Sequence, residues 1–193
     1  MYEFLKGEVR ELSPTYVVLE NNGIGFFINI SLNTYSQLSN KEHSLIYIYE
    51  VIREDAHQLF GFFEKSEREI FMLLISVSGV GANTARVMLS SLSSNEIKDA
   101  ILNGDVNLLK SIKGIGAKTA ERIIIDLRDK VGKVEGSDKI NFKLDNTIKD
   151  EALSALVMLG FPKNKVDKII TIILKENSEL RVESLIKEAL KRL

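Results

Sequence analysis

The chain has 193 residues, 45% of them apolar, with 26 Lys/Arg against 27 Asp/Glu and no cysteine. That length supports one large domain or two to three small ones, and the missing cysteines exclude a disulfide framework and a cysteine-ligated zinc site. No apolar run approaches the roughly 18 residues of a membrane span, and no basic-then-apolar leader pattern follows Met1, so a soluble, cytoplasmic protein is expected.

Residues 1–62 read as β structure. Phe4–Leu12, Tyr16–Glu20, Phe26–Ile30, Leu45–Val51 and Gln58–Phe63 are rich in β-branched and aromatic residues and are separated by turn signals. Asn21-Asn22-Gly23 predicts a hairpin between the second and third strands, and Leu32–Leu38 a short helix. Five strands and one helix suit a small barrel of the OB type, with an SH3-like barrel as the alternative. Between the last two strands stands Arg53-Glu54-Asp55-Ala56-His57. From the residues alone it is a polar hairpin loop, although two adjacent carboxylates are also able to repel phosphates or bind a cation. His57 and His43 stand alone and are assigned no chemistry.

A charged turn, Glu64-Lys65-Ser66-Glu67-Arg68-Glu69, followed by the apolar run Ile70–Ile75, predicts a helix over Glu64–Ser76. Ser93 and Glu96 have capping-box spacing and start a helix to Asn103, closed by Gly104-Asp105. On either side of that helix lies a repeated segment. Ser78-Gly79-Val80-Gly81-Ala82-Asn83-Thr84-Ala85 returns 35 positions later as Lys113-Gly114-Ile115-Gly116-Ala117-Lys118-Thr119-Ala120, with five of eight positions identical. The flanks match too: Leu73/Leu108, Leu74/Leu109, Val77/Ile112, Met88/Ile123 and Leu89/Ile124.

Each copy reads as helix, tight turn, helix. The glycines permit positive φ and close approach of another backbone, and Val80 and Ile115 fit the angle between the helices. Thr84 and Thr119 fall in the first turn of the second helix, where unpaired N–H groups and the helix dipole favour an anion. Each turn is therefore a candidate phosphate site that reads no bases. A lone Gly-x-Gly is more often a plain αα-hairpin, but two matched copies resemble the helix-hairpin-helix motif of DNA-binding proteins. The candidate contacts are Gly79, Val80, Gly81, Asn83 and Thr84 in the first copy, and Gly114, Ile115, Gly116, Lys118 and Thr119 in the second. Arg122 lies four residues beyond Lys118 on the same helix face. The plain reading of Lys118 and Arg122 is a solvated helix surface.

Charge is unevenly spread. Residues 1–62 carry 4 Lys/Arg against 8 Asp/Glu, residues 63–135 carry 11 against 10, and residues 136–193 carry 11 against 9. Affinity for DNA comes from local cations, so the total of −1 does not exclude it. It does predict weak binding by a monomer, which oligomerisation would remedy.

Arg122–Val131 continues the last helix of this region. Gly132–Thr147 reads as a flexible linker. Beyond it Ile148–Leu159, Val166–Leu174 and Val182–Leu193 predict a three-helix bundle resembling a UBA domain, with Ala152, Leu153, Leu156 and Leu159 on one face. Gly160-Phe161-Pro162 breaks its first helix, where Phe161 serves either protein contact or core packing. The expected organisation is α+β: a barrel over 1–63, a tandem helix-hairpin-helix domain over 64–131, a linker over 132–147 and the bundle over 148–193.

That order of parts, with Arg53-Glu54-Asp55, Leu59-Phe60-Gly61-Phe62 and the run Gly114–Arg122, is similar to the RuvA family, the Holliday-junction-binding subunits of the bacterial branch-migration machine. The resemblance spans nearly the whole chain and is most specific between Val51 and Arg128. It implies flat fourfold tetramers, sometimes paired as octamers, that hold a four-way junction open during recombination and repair. Both hairpins would meet backbone phosphates, and Glu54 and Asp55 would form the acidic pin where strands exchange. The tail would engage RuvB, a hexameric ATPase, through Leu156, Leu159, Gly160 and Phe161, with the RuvC resolvase in a larger complex. No cofactor is implied, nor any catalysis. The sequence has no Gly-x-x-x-x-Gly-Lys-[Ser/Thr] loop, so ATP hydrolysis falls to the partner. Asn83 departs from the pattern, since a lysine is usual there.

Two other readings use the same hairpins. A helix-hairpin-helix glycosylase or nuclease would need a catalytic carboxylate, for which Asp126 is the candidate, and a base pocket. A scaffold protein would carry the hairpins without binding DNA.

Overall fold

The computed structural model describes residues 1–134, 144–177 and 180–193. It divides into two compact units, Met1–Glu135 and Gly136–Leu193.

The first unit opens with β1 (Phe4–Ser13), β2 (Tyr16–Asn21), β3 (Ile24–Ile30), α1 (Leu32–Leu38), β4 (His43–Ile52) and β5 (His57–Phe62). The strands close into a barrel in the order β1-β2-β3-β5-β4, with β1 bonded to β4 and β3 parallel to β5. This is the OB-type arrangement. Alternating residues of β2, β3 and β4 turn inward, and Val17, Leu19, Ile28, Ile30, Ile46 and Ile48 fill the interior. Asn22 (φ 50°) and Gly23 (φ 82°) make the predicted two-residue turn between β2 and β3. Gly61 is dictated by closure: a Cβ there would lie 2.4 Å from Ile28 Cγ2 and 2.7 Å from Ile46 Cγ2.

Strand β5 serves two cores. Leu59 belongs to the barrel interior, whereas Phe60 and Phe62 belong to a second cluster around Phe71 of α2 (Lys65–Ile75). The Phe71 ring lies 5.3 Å from Phe60, 4.9 Å from Phe62 and 5.4 Å from Tyr49 between centroids. Against this aromatic wall pack α3 (Ala82–Ser91), α4 (Ser94–Asn103), α5 (Val106–Ser111) and α6 (Ala117–Val134). Ser93 and Glu96 form the capping box that starts α4, and Gly104 at φ 72° ends it.

Polar groups fasten the join. Arg68 is buried, donates to the carbonyls of Glu3 (3.0 Å) and Ile48 (3.4 Å), and pairs with the Glu3 carboxylate at 2.5 Å. Asn33 donates to the carbonyls of Leu89 (2.6 Å) and Leu92 (3.2 Å). The hairpin helices are thus held on the barrel by hydrogen bonds from a buried arginine and a half-buried asparagine.

In the second unit α7 (Leu144–Met158), α8 (Lys163–Glu176) and α9 (Val182–Arg192) surround Ala152, Leu156, Val166, Ile170, Ile173, Leu185 and Ala189. Leu156, expected as a partner contact, is fully buried and belongs to this core. Leu159 does not share its face: α7 ends at Met158, and Leu159 stands 62% exposed. Gly160, at φ 97°, turns the chain so that Phe161 packs half-buried against the core. The ends of the expected linker are helical, since α6 runs to Val134 and α7 starts at Leu144; residues 135–143 of it lie outside the described residues. Among the described residues no helix is long and apolar enough to cross a membrane.

Candidate nucleic-acid interface

The two copies of the repeat fold alike. Val77 and Val80 donate to the carbonyls of Leu74 (3.1 Å) and Val77 (3.0 Å), and Ile112 and Ile115 to those of Leu109 (3.3 Å) and Ile112 (3.1 Å). Gly79 and Gly114 have φ of 95° and 94°, the left-handed region that disfavours any side chain. Val80 and Ile115 are both buried in the helical core, so only their backbone is available to a ligand.

The second glycine of each copy corrects the expectation of positive φ. Gly81 lies at φ −86°, and Gly116 is not among the positive-φ glycines. A Cβ built on either meets no atom within 4 Å, so the fold itself does not require glycine there. Both stand at helix starts: the carbonyl of Gly81 accepts from Ala85 N–H, and that of Gly116 from Ala120 N–H, each at 2.9 Å. A glycine at this position offers no side chain to the amides of the first turn. Each hairpin therefore presents unsatisfied N–H groups at the positive end of a helix, beneath a surface stripped of Cβ atoms. Asn83 and Lys118 are exposed beside these turns, and Thr84 and Thr119 are half-buried.

A second feature is the tip of the β4–β5 hairpin. Arg53 N–H donates to the Ala56 carbonyl at 2.8 Å, leaving Glu54 and Asp55 as the two exposed turn residues. At the root of this hairpin His57 Nε2 lies 2.7 Å from Glu50 Oε1. That bond is the main cause holding the Glu50 carboxyl below its ordinary pKa, helped by the N-terminal ammonium. His57, which carries no role in the sequence reading, is thus a fastener. The register that pairs Ile52 with His57 brings it there. Among the described residues no group of three or more His, Asp or Glu is placed to hold a metal ion.

Three family models match the chain in succession. The RuvA N-terminal domain matches residues 1–61, the SAM-like helix-hairpin-helix tandem residues 71–129, and the RuvA C-terminal domain residues 147–193. The chain is 55% identical over 193 residues to the Holliday junction branch migration complex subunit RuvA of Christiangramia forsetii, covering 100% of both. The chain belongs to the RuvA family. It is also 49% identical to the RuvA proteins of Bacteroides thetaiotaomicron, over 201 residues, and Flavobacterium psychrophilum, over 193, again covering 100% of each.

Within this RuvA-family chain the two hairpins differ in charge. Lys113, Lys118 and Arg122 of the second copy stand opposite Ser78, Asn83 and Val87 of the first. The first copy has its own arginine, Arg86, but it is committed to the barrel. It donates to the Thr15 carbonyl at 2.9 Å and to Asn29 Oδ1 at 3.4 Å, and burial lowers its pKa. Arg122, on the helix that leaves the second turn, also reaches the first: its Nη1 donates to the Ser78 carbonyl at 3.3 Å. Aligning the copies exposes the charge difference in the sequence, whereas the crossing of Arg122 between hairpins has no sequence signal.

Proposed function

We propose that this chain binds four-way DNA junctions through the phosphate backbone, as a tetramer that holds the junction open and brings an ATP-driven motor to it. The observation that carries the reading is the pair of matched turns on one packed unit. Each turn presents first-turn amides and a glycine approach suited to a phosphate, a contact that reads no base. The RuvA relatives are named as subunits of a Holliday junction branch migration complex, which supports the junction as the substrate; RuvB as the motor is what the family resemblance implies. In this reading the chain performs no chemistry, and Glu54 and Asp55 sit among separating strands as an acidic pin. The candidate docking residues for the motor are Leu159, Gly160 and Phe161 of the second unit, and RuvC joins in a larger complex. Asp126, which a glycosylase would need inside a base pocket, is exposed on α6.

The test is a gel shift comparing a synthetic four-way junction with a linear duplex of the same sequence, across a salt series, with mass from light scattering. Junction-selective, salt-sensitive binding by a tetramer is expected. Equal, weak binding of both DNAs by a monomer overturns the junction reading, and cleavage of a damaged base overturns the non-catalytic one.

A further inference from the structure

Resting on that reading, we infer that Arg122 is a cation shared by both hairpins, and that it supplies the first phosphate site with the positive charge its own sequence lacks. The argument begins with the repeat. At three aligned positions around the turn the second copy has Lys113, Lys118 and Arg122, while the first has Ser78, Asn83 and Val87. The φ angles at Gly79 and Gly114 nevertheless agree to within a degree, and the turns close through matching backbone bonds. Two similar amide cradles therefore differ in the side-chain charge that would attract a phosphate from a distance.

Arg86 does not make up the deficit, because its guanidinium is spent on Thr15 and Asn29 of the barrel. Arg122 does. It is exposed, its helix α6 starts at the second turn, and its Nη1 meets the carbonyl of Ser78, the residue just before Gly79. A guanidinium has five N–H donors in a rigid fork, so one bond to Ser78 leaves donors for a phosphate oxygen. Anchored in this way, it adds a charge-assisted bond to a site otherwise built from neutral amides. The shared helical core sets the spacing of the two turns, and the bond to Ser78 holds the guanidinium beside the first of them.

The experiment is a double-mutant cycle on the full-length protein, using Arg122→Met, Asn83→Lys and the pair, with Lys118→Met as a reference. Junction affinity is read across a salt series, and thermal melting is recorded for each variant. Arg122→Met is expected to weaken binding roughly tenfold, the loss of one charge-assisted contact, and to lower the log–log salt slope by about one per bound subunit. Its melting should match that of the parent protein. The decisive result is the rescue: Asn83→Lys should strengthen Arg122→Met at least about threefold more than it strengthens the parent, the mark of two cations serving one site. Equal gains in the two backgrounds overturn the inference, because they place Arg122 at a separate site. A loss of melting temperature that accounts for the loss of binding overturns it too, leaving Arg122 as a structural clip. Lys118→Met separates this failure from failure of the underlying reading: if it binds junctions as the parent does, or the parent binds none, the phosphate role of the hairpins falls as well.

Discussion

Glu67 of α2 accepts a hydrogen bond from the Thr34 hydroxyl of α1 at 2.6 Å, at a place where the residue is only 3% exposed. The Ser31 hydroxyl donates to the other carboxylate oxygen at 2.5 Å, and Thr34 Oγ1 in turn accepts the Phe63 N–H at 3.0 Å. One carboxyl thereby ties α2 to the start of α1, the helix between β3 and β4, and through Thr34 to Phe63 just past β5. Burial raises its pKa above the ordinary 4.5, outweighing the two hydroxyl bonds that lower it.

A carboxyl whose pKa is higher folded than unfolded contributes stability that is fully present below the unfolded value, near 4.5, and lost as pH rises through the folded value. Glu67→Gln removes this titration. Melting temperature plotted against pH should therefore fall for the parent, relative to Glu67→Gln, from about pH 4.5 upward. Glu67→Ala leaves two buried hydroxyls without an acceptor and should cost roughly 1–3 kcal/mol. Parallel curves for the parent and Glu67→Gln would remove Glu67 as the source of any pH dependence.

The glycines of each hairpin should separate stability from binding. Ala at Gly79 or Gly114 must adopt a left-handed backbone, which costs about 1–2 kcal/mol each. Ala at Gly81 or Gly116 meets no atom and needs no unusual φ, so melting should shift by less than about 0.5 kcal/mol. Junction affinity should nevertheless fall, because the added methyl occupies the approach to the first-turn amides. Unchanged affinity in Gly81→Ala and Gly116→Ala would mean that no phosphate comes there.

Much of this was legible in the sequence, for a physical reason. Strands and turns announce themselves locally, through β-branched runs, Asn22-Gly23 and the spacing of Ser93 to Glu96, and each strand begins within two residues of its expected start. The hairpins were legible because the sequence states them twice. What was not legible depends on residues far apart in the chain. Glu67 and Arg68 read only as part of a charged first turn, yet both are buried, because Ser31, Thr34, Glu3 and Ile48 close over them. Arg122 reads as a neighbour of Lys118, and only the folded chain brings it to Ser78. Apolar spacing placed Leu156 and Leu159 together, because it does not record where the helix stops.

The acidic tip should act on migration and not on holding. Glu54 and Asp55 are exposed, and neither is among the described residues with positive φ, so Glu54→Ala/Asp55→Ala should melt within about 0.5 kcal/mol of the parent. Removing two negative charges near phosphates should leave junction affinity equal or raised. Strand exchange driven by the motor should change in rate, read as the conversion of a labelled junction. A loss of junction binding would contradict the pin assignment.

The second unit offers a matched pair of leucines three residues apart. Leu156 fills the three-helix core, and Leu156→Ala should destabilise that unit by about 2–5 kcal/mol. Leu159 lies beyond the end of α7 beside Met158, which is 89% exposed, and Leu159→Ser should leave melting unchanged. If these side chains dock the motor, Leu159→Ser should weaken its binding by more than about 1 kcal/mol in a calorimetric titration, as truncating an interface anchor does. Met158→Ser should add to the loss, since both neighbours are exposed apolar side chains. Full affinity in the double variant would move the docking site to another face of the bundle, with Ile172 of α8 and Leu190 of α9 the next exposed apolar side chains to replace.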